Sequence, residues 1–122
     1  MPPRRANANA NTRKLNRQLQ TAVVANDERS VRKAVERGAE VNAVMETGYA
    51  VDNVAPLQHA AALGNEGMVR VLAELGAALD MQVRAEGFTA LYLASARGCT
   101  ETVRALVQLG ANIITPDKDG WT

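Results

Sequence analysis

Ala55-Pro56-Leu57-Gln58-His59-Ala60-Ala61-Ala62-Leu63-Gly64 and Thr89-Ala90-Leu91-Tyr92-Leu93-Ala94-Ser95-Ala96-Arg97-Gly98 are one pattern written twice, 34 positions apart. Leu57 and Leu91, Ala60 and Ala94, and Gly64 and Gly98 hold equivalent places. A third, earlier copy follows from Leu19, Ala22 and Asn26, each 38 residues before its counterpart. Each copy reads as a short helix. Pro56 suits a first helical position, where the amide would have no partner, and Thr89 supplies a side-chain oxygen for the N-terminus. Gly64 and Gly98 end their helices in a left-handed turn, and Asn26 stands in for them as the next best tolerated residue. Small residues at Ala60, Ala61, Ala94 and Ser95 let neighbouring helices approach closely.

Working outward, a second helix follows each of these, over Ser30–Arg37, Glu66–Leu75 and Thr100–Leu109, with aliphatic residues at helical spacing. Gly38-Ala39, Gly76-Ala77 and Gly110-Ala111 then stop it, and Gly48, Gly87 and Gly120 come ten or eleven residues later. Eight of the nine glycines thus fall in three repeating slots, with Gly67 alone outside them. Two short helices and a loop per unit cannot bury a core alone, whereas stacked units share a continuous one.

The composition agrees. With 122 residues the chain is long enough for one domain, and 47% hydrophobic and 22% charged residues exclude a disordered polyelectrolyte. Only 3% are aromatic, so alanine, valine and leucine must fill the core, which favours packed helices over a β-sandwich. The net charge of +1 conceals a split. Residues 1–26 carry five bases and no acid, while the remainder holds nine bases against thirteen acids. The basic segment reads as a solvated, disordered arm over residues 1–12; a nucleic-acid-binding or import arm and a transit peptide are the sharper alternatives. No apolar run is long enough for a membrane span. Cys99 is the single cysteine, so neither an internal disulfide nor a cysteine-based metal site is available, which fits an intracellular location, cytoplasmic or nuclear.

These slots resemble the ankyrin repeat, whose motif D-x-x-G-x-T-P-L-H-x-A-A-x-x-G-H is followed by a second helix closing on G-A-x-V-N. Gly38-Ala39-Glu40-Val41-Asn42 fits the closing motif, and Asp117-Lys118-Asp119-Gly120-Trp121-Thr122 fits the opening of a further unit. The resemblance covers residues 13–122 and implies an all-α helical solenoid with hairpin-like finger loops. Its units would run over 13–43, 44–80 and 81–114, with the start of a fourth at 115–122. The first unit lacks the Thr-Pro start and looks like an N-terminal cap. Five extra residues, Val51–Ala55, lengthen one finger into what reads as an exposed loop. Gln58 and Tyr92 replace the family's first-helix histidine, and both can donate a hydrogen bond. The apolar side of the third unit, with Leu91, Ala94 and Leu106, is expected to lack cover.

No constellation with catalytic spacing is present. His59 is the single histidine and reads as a surface or edge-of-core residue; Cys99 has no base partner and reads as structural. Asp117 and Asp119 lack the continuation of a calcium loop. The resemblance implies a non-catalytic protein–protein interaction module with no cofactor, no metal and no small-molecule substrate. Partner contacts would come from the finger tips and the exposed ends of the first helices: Tyr49, Val51, Asp52, Arg84, Ala85, Phe88, Lys118 and Trp121, with Leu63, Ala96 and Arg97 behind them. Ala62 is expected on that side too. Tyr49, Phe88 and Trp121 each follow a finger glycine and form a ladder of rings. The alternatives are a targeting domain of a larger multidomain enzyme, or binding of nucleic acid or an acidic surface through the basic arm with Arg84, Arg97 and Arg104. The body's surplus of acids argues against nucleic acid.

Overall fold

The computed structural model describes residues 2–44, 54–82 and 87–112, with side chains from Ala10 onward. The described residues contain six helices: α1 (Pro2–Val24), α2 (Glu28–Glu36), α3 (Pro56–Ala62), α4 (Glu66–Glu74), α5 (Ala90–Ala96) and α6 (Thr100–Leu109). Among the described residues they form three antiparallel pairs stacked as a helical solenoid. Helices α1, α3 and α5 pack in one layer and α2, α4 and α6 in the other.

The turns explain the sequence pattern bond by bond. At the end of each first helix the amides of Asn26, Gly64 and Gly98 donate to Val23, Ala61 and Ser95. The amides of Asp27, Asn65 and Cys99 reach back to Ala22, Ala60 and Ala94 at 2.9 Å. This pair of bonds requires a left-handed residue in the middle, and φ is +57° at Asn26, +74° at Gly64 and +71° at Gly98. The same bonding closes the second helices and accounts for the Gly-Ala pairs. Ala39, Ala77 and Ala111 donate back to Ala34, Leu72 and Leu106, and their methyl groups are buried against the core. Thr89 caps α5 by accepting from the Tyr92 amide at 3.1 Å, and Pro56 opens α3. Asp27 caps α2 in the same way, accepting from the amide of Ser30, so α2 starts two residues before the serine from which the periodicity counts.

The core is a single cluster of small and branched residues, among them Leu19, Val23, Val31, Leu57, Ala60, Met68, Leu72, Ala94 and Leu106, all nearly inaccessible. Fully buried alanines at 60, 61 and 94 are what let the inner layer close up. Gly67, the glycine outside the repeat slots, lies where α4 passes α2: a Cβ there would stand 2.9 Å from the Glu28 carboxylate.

Polar rungs tie each closing segment to the residues before it, two of them across units. The amide of Glu40 donates to Asn16 Oδ1 (2.7 Å), that of Ala78 to Asn42 Oδ1 (2.8 Å) and that of Asn112 to Asp80 Oδ1 (2.6 Å). Asn42 and Asp80 each sit four residues after a helix-ending glycine. Asn16, on α1, does the same work for the first unit. In the outer layer Arg32 of α2 reaches Glu74 of α4 (2.7 Å), and Arg70 of α4 reaches Gln108 of α6 (2.9 Å). Arg32, Arg70 and Arg104 share one slot. These exposed contacts fix alignment more than they add stability.

Five expectations need correction. Helix α1 begins at Pro2, so residues 2–12 continue the first helix rather than forming a disordered arm, and residue 13 marks no boundary of secondary structure. Prolines at the first positions of a helix are no obstacle, and nothing after them breaks it. Val54 and Ala55, read as part of an exposed loop, are buried, Val54 being 2% accessible. Both lead directly into α3 and fill the space beside it. Ala62 is 4% accessible rather than on the open side, because the middle unit is flanked by both neighbours. Ala94 and Leu106, expected to lack cover, are buried, and Leu91 is half-buried. Ser95, conversely, is exposed, since α5 is flanked on one side only among the described helices.

Candidate functional site

The C-terminal turns of the inner helices carry accessible apolar surface at the predicted contact residues. Leu63 and Arg97 occupy the same slot one unit apart, at the ends of α3 and α5. Leu63 is 49% accessible, and Arg97 and the neighbouring Ala96 are also exposed. The left-handed turn just beyond each of them explains this. It directs the chain back towards the outer layer and leaves the preceding side chain over solvent. The corresponding residue of the first unit is Ala25, also exposed, with Val24 beside it at the edge of exposure. Val24 was missed from the sequence because its equivalents are alanines.

A second feature lies at the opposite end of α5. Phe88 is half-buried and stacks on Tyr92 with ring centroids 4.8 Å apart and planes 7° from parallel. The four-residue interval between them places both rings on one side of the first turn. Tyr92 is 54% accessible and so presents one ring face outward. Its slot-mate Gln58 behaves differently. Its amide nitrogen donates to the Met81 carbonyl at 3.1 Å, tying α3 to the following connector, and the side chain is fully buried. Of the two replacements for the repeat's usual histidine, Gln58 keeps the hydrogen bond and Tyr92 offers a ring surface.

Of the predicted contact residues, Leu63, Phe88, Ala96 and Arg97 are therefore placed, the first and last two on the inner-helix ends and Phe88 at the other end of α5. Tyr49, Val51, Asp52, Arg84, Ala85, Lys118 and Trp121 lie outside the described residues.

His59 is not a surface residue: it is 3% accessible, and neither ring nitrogen has a hydrogen-bond partner among the described residues. Burial holds its pKa below the ordinary histidine value, so the ring is packed in its neutral form. It follows Gln58 on α3, where the helix is buried on every side. Asp27 shifts downward as well, chiefly through the hydrogen bond from the Ser30 hydroxyl at 2.7 Å and then the Ser30 amide. Cys99 stands at the N-terminus of α6 as a free thiol, half-buried, and packs close to Gly64. Among the described residues no three histidine, cysteine, aspartate or glutamate side chains converge, and no helix is long and apolar enough to cross a membrane.

Comparison with known proteins agrees with the architecture. The family model described as ankyrin repeats, in three copies, matches residues 19–117. A mouse (Mus musculus) protein, "Ankyrin repeat and SAM domain-containing protein 6", is similar to this chain, with 37% identity over 71 residues. That match takes in 58% of this chain and 8% of the mouse protein, so the chain corresponds to under a tenth of the length of that relative.

Proposed function

The chain belongs to the ankyrin-repeat family, and from that premise we propose that it is a non-catalytic module that binds a partner protein through its finger loops and inner-helix ends. The observation that carries this reading is the exposure of Leu63 and Arg97 in equivalent places on successive units. A large apolar side chain half open to solvent, one rung from a guanidinium, is the composition of an interface centre with a polar edge. The stacked Phe88–Tyr92 pair adds rigid aromatic area on the same helical layer. Helices packed to fixed register by the connector hydrogen bonds supply a preorganised surface, which lowers the entropy lost on binding. The single thiol fits a reducing compartment, and we place the module in the cytoplasm or nucleus.

Site-specific photo-crosslinking in living cells tests the reading. A benzophenone amino acid at position 63 or 97 should yield a discrete protein adduct, and the same probe at 104 on α6 should not. Leu63→Asp should abolish the adduct formed at 97 while leaving the thermal midpoint unchanged. Adducts formed equally well at 104, or at neither inner position, would overturn the assignment of the face.

A further inference from the structure

The inner-helix ends do not use the other side of the first unit, where α1 and α2 enclose a groove of about 610 Å³. Its floor is made of alanine, with Ala22 and Ala34 buried between the helices. Its walls are cationic: Lys14 and Arg17 on α1, Lys33 on α2 and Arg37 at the C-cap of α2. All four are exposed, and among the described residues none of them pairs with a carboxylate. Arg32, Arg70 and Arg104, by contrast, each have a carboxylate within 3.4 Å or closer.

The four charges share one end of the groove. Asn16 bonds to the Glu40 amide at 2.7 Å, and a Cβ on Gly38 would touch Leu15 at 3.6 Å. Residues 14–17 of α1 therefore lie beside the C-terminal end of α2, where Lys33 and Arg37 stand. Asp27, the one acid in the lining, is at the far end, with its carboxylate engaged by Ser30. Lys33 and Arg37 complement the α2 dipole. Lys14 and Arg17 lie mid-helix and have no such reason to be there. The nearby acids Glu36 and Glu40 form no ion pair with these four among the described residues, so the like charges repel one another, and an anionic occupant would relieve that.

We propose that this groove is a second docking surface, taking a short acidic segment of a partner polypeptide. Its carboxylates lie among Lys14, Arg17, Lys33 and Arg37, and small or apolar side chains follow along the alanine floor. A groove of this size accommodates a few residues rather than a duplex. The acid surplus of residues 27–122 repels an extended polyanion running on past the groove. This surface meets the inner-helix ends at Ala25 alone and includes neither Leu63 nor Arg97, so either assignment stands without the other.

The test uses the full chain and a fluorescein-labelled octapeptide of four glutamates followed by four alanines, read by anisotropy. Controls are the peptide with glutamine for glutamate and an eight-nucleotide oligothymidine. The glutamate peptide should bind, and the paired change Lys33→Gln with Arg37→Gln should weaken it by about tenfold or more. Lys14→Gln with Arg17→Gln, on the opposite wall, should do the same, whereas Arg104→Gln and Leu63→Asp should leave affinity within about twofold. Amide shifts on titration should concentrate in residues 14–18 and 30–37. All these side chains are exposed, so circular-dichroism melts should show each variant folded. The proposal is overturned if the wild-type chain does not bind the peptide, if oligothymidine binds as tightly, or if Arg104→Gln costs as much as either wall.

Discussion

Alanine at Gly64 and at Gly98 should have unequal costs, and the difference should trace to one sulfur atom. Both glycines end an inner helix in the left-handed region, at φ +74° and +71°, so the backbone cost of a side chain is the same for the two. That cost is roughly 1–2 kcal/mol, offset in part by about 0.4–1 kcal/mol from the stiffer unfolded chain. A Cβ on Gly98 meets nothing within 4 Å, so Gly98→Ala should destabilise by about 1 kcal/mol. A Cβ on Gly64 falls 3.0 Å from Cys99 Sγ, tighter than a relaxed contact, and α6 must give way. Gly64→Ala should therefore cost about 2 kcal/mol, at the lower end of overpacking penalties. Cys99→Ala removes the sulfur and leaves only an ordinary 3.6 Å contact to the Cβ. In that background Gly64→Ala should fall to the Gly98 value, a coupling of about 1 kcal/mol. Urea denaturation at constant m reads this directly, as a midpoint separation of roughly 0.5–1 M. Gly98→Asn should be milder than Gly98→Ala, as Asn26 already illustrates at φ +57°. Equal costs for the two alanine variants, with no coupling to Cys99, would refute the turn geometry.

Other outcomes follow from the same packing. His59 is neutral and buried with a pKa below its unfolded value near 6.5, so its contribution to stability is complete above that value and is lost as pH falls through the lowered folded pKa. Thermal melts should show a steeper acid loss for the wild-type chain than for His59→Leu, and parallel profiles would exclude the histidine as the cause. Leucine at position 60, 62 or 94 should destabilise by about 1–3 kcal/mol, while Ala96→Leu should be nearly neutral in denaturant titrations, because only Ala96 of the four is exposed. Val54→Ala should cost about 1.5 kcal/mol from two buried methylene-sized groups, measured by the same titration; no loss would mean that the segment before α3 is not packed.

The local bonding of this protein was legible in its sequence. Residue type decides whether a position tolerates φ above zero, donates to a cap or lacks an amide, so Asn26, Gly64, Gly98, Thr89 and Pro56 announced the ends of helices before any packing was considered. Repetition at 38 and 34 residues then made the pairing of helices and the stacked core legible too, since equivalent residues in a solenoid meet equivalent neighbours. What repetition concealed was difference between equivalent slots. Ala62 and Ala96 read alike, yet among the described helices one is flanked by units on both sides and the other on one side only. Gln58 and Tyr92 share a slot, but the first turns inward to Met81 and the second stacks on Phe88 in the open. His59 looked peripheral because its slot is filled otherwise in the neighbouring unit, and its burial comes from the elements around α3. The cationic groove between α1 and α2 was beyond any reading along the chain. Lys14 and Arg17 stand some twenty residues from Lys33 and Arg37, and only the antiparallel fold of one helix on the other brings the four charges to one mouth.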